Sequence, residues 1–532
     1  MKDFFPVLTP GDTRRTEQKA FELGVSSLLL MEHAAMAVVD ELEKALGGSC
    51  EDKQVLFLCG TGNNGGDGLA AARLFAMRGG RATAWLYGEP KTPDAKTNLQ
   101  WLRQLPDVEI LNLGELPEEA WPFDGESPNR PFDGYVDALL GTGFHGKIQD
   151  ALLSRMALAP YHDFHLGMPL PPVVAVDIPS GINGRTGEAE WPFVHADVTV
   201  TFNTPKPGLY LTPEREAVGK IVVADIGLWP MMPWNCDALL LDDLELNCET
   251  LLPAALGLME KRSLNAHKGD NGRVLIYAGK MGMAGAAAMC AKAAVTAGAG
   301  LTTIACEKEI IPILQTLVPN AMCIDIQDAI KNPPPYYVFA VGCGLGQSEE
   351  IWQNILKLWD VEKPSVWDAD ALNLLAKHEM KLGEKAVITP HPGEAARLLG
   401  WRISEIMADR LKAARALAEK YECAAILKSD VSVICGTEGG ELKYYLNTVG
   451  TPALAKGGSG DALTGILAAV LGDSGFSYLD AAALACLWHG MAGIVGEEKF
   501  GQRELTTDQL ISCLHDAERW GRGEIPAPTC YR

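Results

Sequence analysis

With 532 residues the chain exceeds what one hydrophobic core organises, so two to four domains are expected, with two as the starting reading. A composition 47% hydrophobic and 21% charged, with 55 glycines and 32 prolines, excludes a fibrous or disordered chain and fits an enzyme rich in tight backbone turns. Acidic residues outnumber basic ones by 68 to 46, a formal charge of -22 with no basic cluster; this excludes a general nucleic-acid or anionic-membrane surface and leaves phosphate-bearing ligands to backbone amides, helix N-termini or a cation.

The opening stretch "MKDFFPVLTP" lacks the charged-then-apolar layout of an export signal, and the Ala/Gly-rich segment 283–306 is broken by Lys292 and only weakly hydrophobic. The 13 cysteines are scattered singly between Cys50 and Cys530 with no C-x-x-C pair, so reduced thiols and a cytoplasmic location are expected. Apolar runs then follow in order: "QVLFLCG", "RATAWLYG", "GYVDALLG", "PVVAVDIPSG", "DVTVTF" and "KIVVADIGL". They are continuous rather than alternating, as in strands covered on both faces, and helical patterns separate them. The expected fold is α/β, a Rossmann-like doubly wound parallel sheet. After "DIGLW" the texture turns mixed and Pro-interrupted, which puts a domain junction near residues 230–240. A second series runs through "GRVLIYAG", "YYVFAVGCGLG", "SVWDADALN", "AVITPHPGE" and "CAAILKSDVSVI" to "AKGGSGDALTGILAAVL". The expected domains are residues 1–235 and 236–532, both α/β.

In the first series, "GTGNNGGDG" matches G-x-G-x-x-G through Gly60, Gly62 and Gly65, directly after a strand. Alone the match is weak, because a tight turn needing positive φ explains the glycines equally well. Asn63 and Asn64 add amide oxygens, and Asp67 puts a negative charge where a pyrophosphate would be repelled unless a cation or ligand hydroxyl intervenes. Asp137 in "VDALLGTGFHGKI", and Asp177 and Ser180 in "VDIPSGINGRTG", end further strands, where ligands collect in open parallel sheets. Singly, each aspartate also reads as a turn or helix cap. Together Asn64, Asp137 and Ser180 are hard oxygen donors suited to an alkali or alkaline-earth cation rather than zinc. An ordinary NAD-dependent dehydrogenase would need a ribose-binding acid, for which Glu89 is a weak positional match.

These segments, with "TFNTPKPGL", resemble the YjeF N-terminal family of NAD(P)H-hydrate epimerases over roughly residues 10–230. The resemblance implies that a hydrated nicotinamide nucleotide is held by Asn63, Asn64, Gly65, Gly66 and Asp67 and by Gly141, Thr142, Gly143, Phe144, His145, Gly146 and Lys147, with Asp177 at the reacting ring. It also implies potassium (K+) coordinated by Asn64, Asp137 and Ser180. Epimerising a hydroxyl-bearing ring carbon needs the C–O bond to open and close on the other face, which acid/base groups assist. Asp177 is the first candidate; Lys206 in "TPKPG", equally readable as a solvated turn residue, is the second.

In the second series, Gly457, Gly458, Ser459 and Gly460 precede Asp461 at the start of a helix whose Leu463, Ile466, Leu467 and Val470 recur at helical spacing. Free amides of such a first turn form an anion hole, and a carboxylate beside it can take the proton of an attacking hydroxyl during phosphoryl transfer. The plainer reading of Asp461 is an N-terminal helix charge. With "WDADALN", "TPHPGEAARLL" and "HKGDNGRVLIYAGKMGMAGAAAMCAKAAVTAGAGL", the loop resembles the YjeF C-terminal branch of the ribokinase-like fold, the ADP- or ATP-dependent NAD(P)H-hydrate dehydratases, over roughly residues 240–515.

That resemblance implies phosphorylation of the ring hydroxyl by ADP, releasing AMP, followed by phosphate loss that restores NADH or NADPH. Asp461 would be the base. Ala286, Gly346, His391, Pro392, Gly393, Glu394, Ala395, Ala396 and Arg397 would line the hydrate site. Lys428, Ser429, Asp430, Val431, Ser432 and Gly460 would hold ADP, with Mg2+ accompanying the nucleotide. Two positions depart from the family pattern: Ser429 stands where glycine is usual after the lysine, and Cys343 where proline is usual between two glycines. The Ser429 Cβ is expected to hinder close phosphate approach. From the residues alone, His391 also fits a turn histidine and Lys428 a strand-end surface lysine.

The expected function is therefore metabolite repair by two activities, epimerisation of R- and S-hydrates and dehydration of the S form. The alternative is a ribokinase-like vitamin or sugar kinase with an N-terminal nicotinamide-nucleotide-binding module. A purely non-catalytic first domain is a further alternative. Partners are expected to be small-molecule substrates only, with no nucleic acid or membrane, in a homo-oligomer.

Overall fold

The continuous apolar runs become strands because both of their faces are covered. Val55, Phe57 and Cys59 point into one core with the helices Ser27–Ala45 and Asn63–Met77, while Leu56 and Leu58 point into another with the helix Ala151–Leu158. All five of these strand side chains are 0% exposed, and truncating one such as Phe57 to alanine would cost about 3–5 kcal/mol. A computed structural model describes residues 4–122, 132–161, 170–228, 244–259, 265, 267–269, 271–378, 380–473 and 475–531.

The chain opens with β1 (Phe4–Pro6) and then builds β2 (Gln54–Cys59), β3 (Arg81–Leu86), β4 (Glu109–Asn112), β5 (Gly134–Ala138), β6 (Val173–Val176), β7 (Val198–Phe202) and β8 (Lys220–Ala224). Strands β2 to β8 form one parallel sheet in the order β4-β3-β2-β5-β6-β7-β8. The order turns back between β2 and β5, the switch point at which a doubly wound sheet leaves a crevice beyond its strand ends.

The second sheet takes in β9 (Cys248–Leu251), β10 (Arg273–Tyr277), β11 (Leu301–Cys306), β12 (Met322–Asp325), β13 (Val338–Val341), β14 (Ser365–Trp367), β15 (Ala386–Ile388), β16 (Ala424–Leu427), β17 (Ser432–Glu438) and β18 (Glu441–Asn447). Its order is β1-β9-β18-β17-β16-β15-β14-β13-β10-β11-β12, with β10 to β16 parallel and the β16-β17-β18 run antiparallel. It switches between β10 and β13. At its far edge β1 pairs antiparallel with β9, Phe4 opposite Leu251 and Pro6 opposite Glu249.

Two compact units result: residues 7–246, and residues 1–6 with 247–532. The junction expected near residues 230–240 lies outside the described residues. In the second unit the 23-residue helix Tyr478–Phe500 is long and apolar enough to cross a membrane, but every residue from Ala481 to Gly496 is buried, and it serves as a core helix.

Candidate active sites

The segment expected as a loop at 60–68 is mostly helix. Gly62 is the N-cap of Asn63–Met77, so Asn63 to Asp67 lie in its opening turns, where free amides gather at the end of β2. None of these glycines has a left-handed φ, so the turn explanation fails. Gly60, Gly65, Gly66 and Gly68 are required by space instead, whereas Gly62 has room for a side chain. A Cβ on Gly60 would sit 1.9 Å from the Leu139 carbonyl, one on Gly65 1.9 Å from the Gly60 carbonyl, and one on Gly66 2.7 Å from Met31 Cε. Gly65 thus lets the helix start close against the chain leaving β2, and Gly66 lets it pack on Met31 and Ala95 of neighbouring helices, leaving contact with a ligand to backbone and to the asparagines.

Asn64, Asp137 and Ser180 come together around the backbone of Leu140. Asn64 Nδ2 donates to the Leu140 carbonyl (3.1 Å), and Leu140 N donates to Ser180 Oγ (2.9 Å). Ser180 donates through Oγ to Asp137 Oδ1 (2.6 Å) and through its amide to Oδ2 (2.7 Å). Burial nonetheless pushes Asp137 up to about 6, against these hydrogen bonds. An amide, a hydroxyl, a backbone carbonyl and an under-stabilised buried carboxyl form a donor set that fits a monovalent cation. Next to it, Gly141 leaves room for Asn64, which would lie 3.1 Å from its Cβ. The Gly141–Lys147 segment turns through Phe144 N to the Gly141 carbonyl (3.0 Å), sets His145 Nδ1 3.3 Å from Asn183 Nδ2 and pairs Lys147 with Glu190 at the surface (3.6 Å).

Asp177 ends β6 in left-handed backbone, φ +64, a conformation costly for any residue with a Cβ. Its Oδ1 accepts from Lys206 Nζ (2.5 Å) and Thr201 Oγ1 (2.9 Å). Lys206 is 1% exposed, which overturns its reading as a solvated turn residue. Two more carboxyls crowd this pair. Burial, then Asp177 and Glu17, push Asp67 well up; burial, opposed by Lys206 and aided by Asp177, raises Glu17. A carboxyl so raised gives up its charge more readily than a free one, which weakens the repulsion it would exert on a pyrophosphate.

The second site is organised by Asp368, just beyond β14 and 2% exposed. Its Oδ1 accepts from Lys428 Nζ (2.7 Å), just beyond β16, and its Oδ2 from Thr464 Oγ1 (2.7 Å) on the helix Ser459–Leu471. Burial would raise this carboxyl, but Lys428 and these hydrogen bonds outweigh it and hold Asp368 below the usual range. Lys428 is raised in turn: burial disfavours its charge, and Asp368 and Glu394 more than restore it. The lysine is therefore a charged part of the site and not a free surface residue. Gly460 faces the same pair, its Cβ position 3.5 Å from Lys428 Nζ.

Asp461 follows in the first turn, behind the left-handed N-cap Gly458 (φ +92). Burial and the Asp368 charge raise it to about 6, while a hydrogen bond from Cys343 lowers it. Cys343 thus puts a thiol donor on this carboxyl where the family pattern has proline. Gly346 (φ +86) donates its amide to Asp370 Oδ2 (2.7 Å), and Ala286 lies against the same glycine turn, 3.0 Å from the Cβ position of Gly344. His391 caps the helix Pro392–Leu399: Nδ1 accepts from the amides of Gly393 (3.0 Å) and Glu394 (3.4 Å), while Glu394 Oε2 accepts from His391 N (2.9 Å). Burial, Lys428 and Arg397 lower the imidazole, and burial raises Glu394 to about 7. Arg397 is anchored on Asn373 (2.7 Å).

Known proteins match this chain along nearly all its length. A family model described as YjeF-related protein N-terminus covers residues 27–208, and one described as NAD(P)H-hydrate dehydratase covers 274–515. A bifunctional NAD(P)H-hydrate repair enzyme of Moorella thermoacetica is 34% identical over 515 residues, 93% of this chain and 92% of its own. The chain belongs to the bifunctional NAD(P)H-hydrate repair enzymes. Its Escherichia coli relative is also 34% identical, over 94% of this chain and 92% of its own. The solved ADP/ATP-dependent NAD(P)H-hydrate dehydratase of Bacillus subtilis, co-crystallised with ATP/Mg2+, is 26% identical over 51% of this chain and 97% of its own, with a TM-score of 0.47.

In the dehydratase half of this repair enzyme, some expected ligand contacts are already engaged. Asp430 pairs with Arg410, itself 1% exposed (2.6 Å), the Val431 carbonyl accepts from the same guanidinium (3.2 Å), and Ala395 is 0% exposed. Ser429 keeps ordinary φ and donates to Asp430 Oδ1 (2.7 Å), so its Cβ needs no glycine conformation. Sequence reasoning passed over Asp368, Thr464 and Asp370, and in the epimerase half over Glu17. Asp368 was within reach, because "WDAD" ends a strand on an aspartate just as "VDIPSG" does.

Proposed function

We propose that each half of this repair enzyme works through one aspartate held by one lysine-centred cluster. In the epimerase half Asp177 and Lys206 exchange protons with the hydrate's ring hydroxyl as its C–O bond opens and closes, and the amides of Asn63 to Asp67 receive the pyrophosphate. Asn64, Asp137 and Ser180 would hold potassium, which supplies positive charge beside the anionic nucleotide.

In the dehydratase half Asp461 takes the proton of the S-hydrate hydroxyl while its oxygen attacks the terminal phosphorus of ADP, and AMP departs. The phosphate then leaves with the C–O electron pair and the ring gives up a proton from the neighbouring carbon, restoring the double bond. Lys428 and the helix amides neutralise the transferring charge. Magnesium, carried on the nucleotide phosphates beside Asp368, Asp370 and Asp461, would add to that neutralisation. The observation that carries this reading is Asp461, raised to about 6 at the head of a glycine-started helix and therefore basic at neutral pH without being inert. The free thiols of the 12 cysteines among the described residues support work in a reducing cytoplasm.

The test is incubation of the full chain with hydrated NADH and ADP. Return of the reduced nicotinamide's near-ultraviolet absorbance is expected, whereas a vitamin or sugar kinase would leave a stable phosphorylated alcohol. Asp177→Asn should abolish accelerated R/S exchange; exchange still at the native rate would remove Asp177 from the chemistry, and a native chain that accelerates no exchange would leave the first half as a binding module.

A further inference from the structure

The chemistry above leaves a buried histidine beside the second site unused. His489 lies midway along Tyr478–Phe500, 9% exposed, and its Nε2 is 3.1 Å from the hydroxyl of Ser459, which is 7% exposed. The ring also meets the Ser459 backbone, and burial keeps the imidazole neutral. Ser459 is the first residue of the helix that carries Asp461, between Gly458 and Gly460.

That helix start has no side-chain cap of its own, and the turn leading into it is glycine-rich, so little that is local fixes it. Thr507 Oγ1 donates to the Gly457 carbonyl (3.0 Å) and Lys456 Nζ to the Leu505 carbonyl (2.6 Å), clamping the approach to the turn. The His489 contact reaches the first helical residue itself, out of a helix buried over sixteen consecutive positions, Ala481 to Gly496. A misplacement of about 1 Å in such a constellation can cost on the order of a hundredfold in rate.

We propose that His489 is a positioning residue of the dehydratase: acting through Ser459, it fixes the glycine turn so that Asp461 and the free amides keep their geometry toward the transferring phosphoryl group. This rests on Asp461 as the base. Ser459→Ala, His489→Gln, His489→Phe, the Ser459→Ala/His489→Phe double variant and Asp461→Asn, each in the full chain, are assayed for dehydratase kcat and KM. Epimerase rate and thermal unfolding are followed on the same samples. Ser459→Ala and His489→Phe are expected to lower kcat about tenfold to a hundredfold while KM moves less than about threefold. His489→Gln, which keeps a polar tip, should recover most of the rate, and the double variant should be no slower than the worse single one.

Native kcat in Ser459→Ala and His489→Phe alongside an inactive Asp461→Asn overturns the proposal. So do losses that multiply in the double variant. An active Asp461→Asn overturns instead the base assignment beneath it. Should His489→Phe fail to fold, Ser459→Ala alone decides by the same criterion.

Discussion

Both halves place an aspartate beside a lysine near the end of a parallel strand, Lys206 fully buried and Lys428 partly so, yet they arrange the pair to opposite ends. In the epimerase half Lys206 bonds directly to the proposed reacting aspartate, Asp177, and Asp67 and Glu17 crowd the same pair. In the dehydratase half Lys428 bonds to Asp368, and the proposed base, Asp461, stands beside that pair and feels its negative end. The first arrangement sets two carboxyls raised chiefly by burial, Asp67 and Glu17, around the aspartate–lysine pair. The second keeps the proposed base apart from the lysine, whose ammonium is held by Asp368. A shared fold class thus leads to different chemistry through which carboxylate the lysine touches.

Asp461→Asn should break the comparison most sharply, lowering dehydratase turnover by about a hundredfold to ten-thousandfold with epimerisation untouched, measured on one preparation. Asp368→Asn should come next. It leaves Lys428 charged and without its carboxylate, so a stability loss of about 3–5 kcal/mol is expected in thermal unfolding, with the epimerase half unaffected.

The pH profile sharpens the contrast further. Asp461 acts only when unprotonated and its carboxyl is raised to about 6, so dehydratase kcat should be flat above that pH and fall about tenfold per pH unit below it. A flat profile down to pH 4 or so would remove Asp461 from the chemistry. The smallest effect expected is on the cation. Replacing potassium by a bulky monovalent ion should slow epimerisation by about threefold to tenfold and leave dehydration unchanged, and Asn64→Leu should blunt that dependence.

Strands buried on both faces were legible because burial imposes a composition: the runs around Val55–Cys59, Val173–Val176 and Ala424–Leu427 are apolar without interruption. Shorter or more polar strands were not. Glu109–Asn112 and Met322–Asp325 are short and half-exposed, and Leu301–Cys306 is diluted by two threonines. The β1–β9 pairing joins positions more than two hundred residues apart, which no local pattern records. At the sites, strand-end aspartates and glycine turns announced themselves, whereas Glu17 emerges only from what surrounds it. The glycines at 60–68 show the same limit, since spacing could not tell a need for room from a need for left-handed backbone.

The short segment Phe4–Pro6 joins the dehydratase sheet although the whole epimerase half follows it in the chain. A fragment starting at residue 236 would therefore carry Cys248–Leu251 with one side of its backbone bare, a template for any passing chain. Dividing the two catalysts cleanly would take a peptide supplied in trans, or a rewired connection, rather than a single cut.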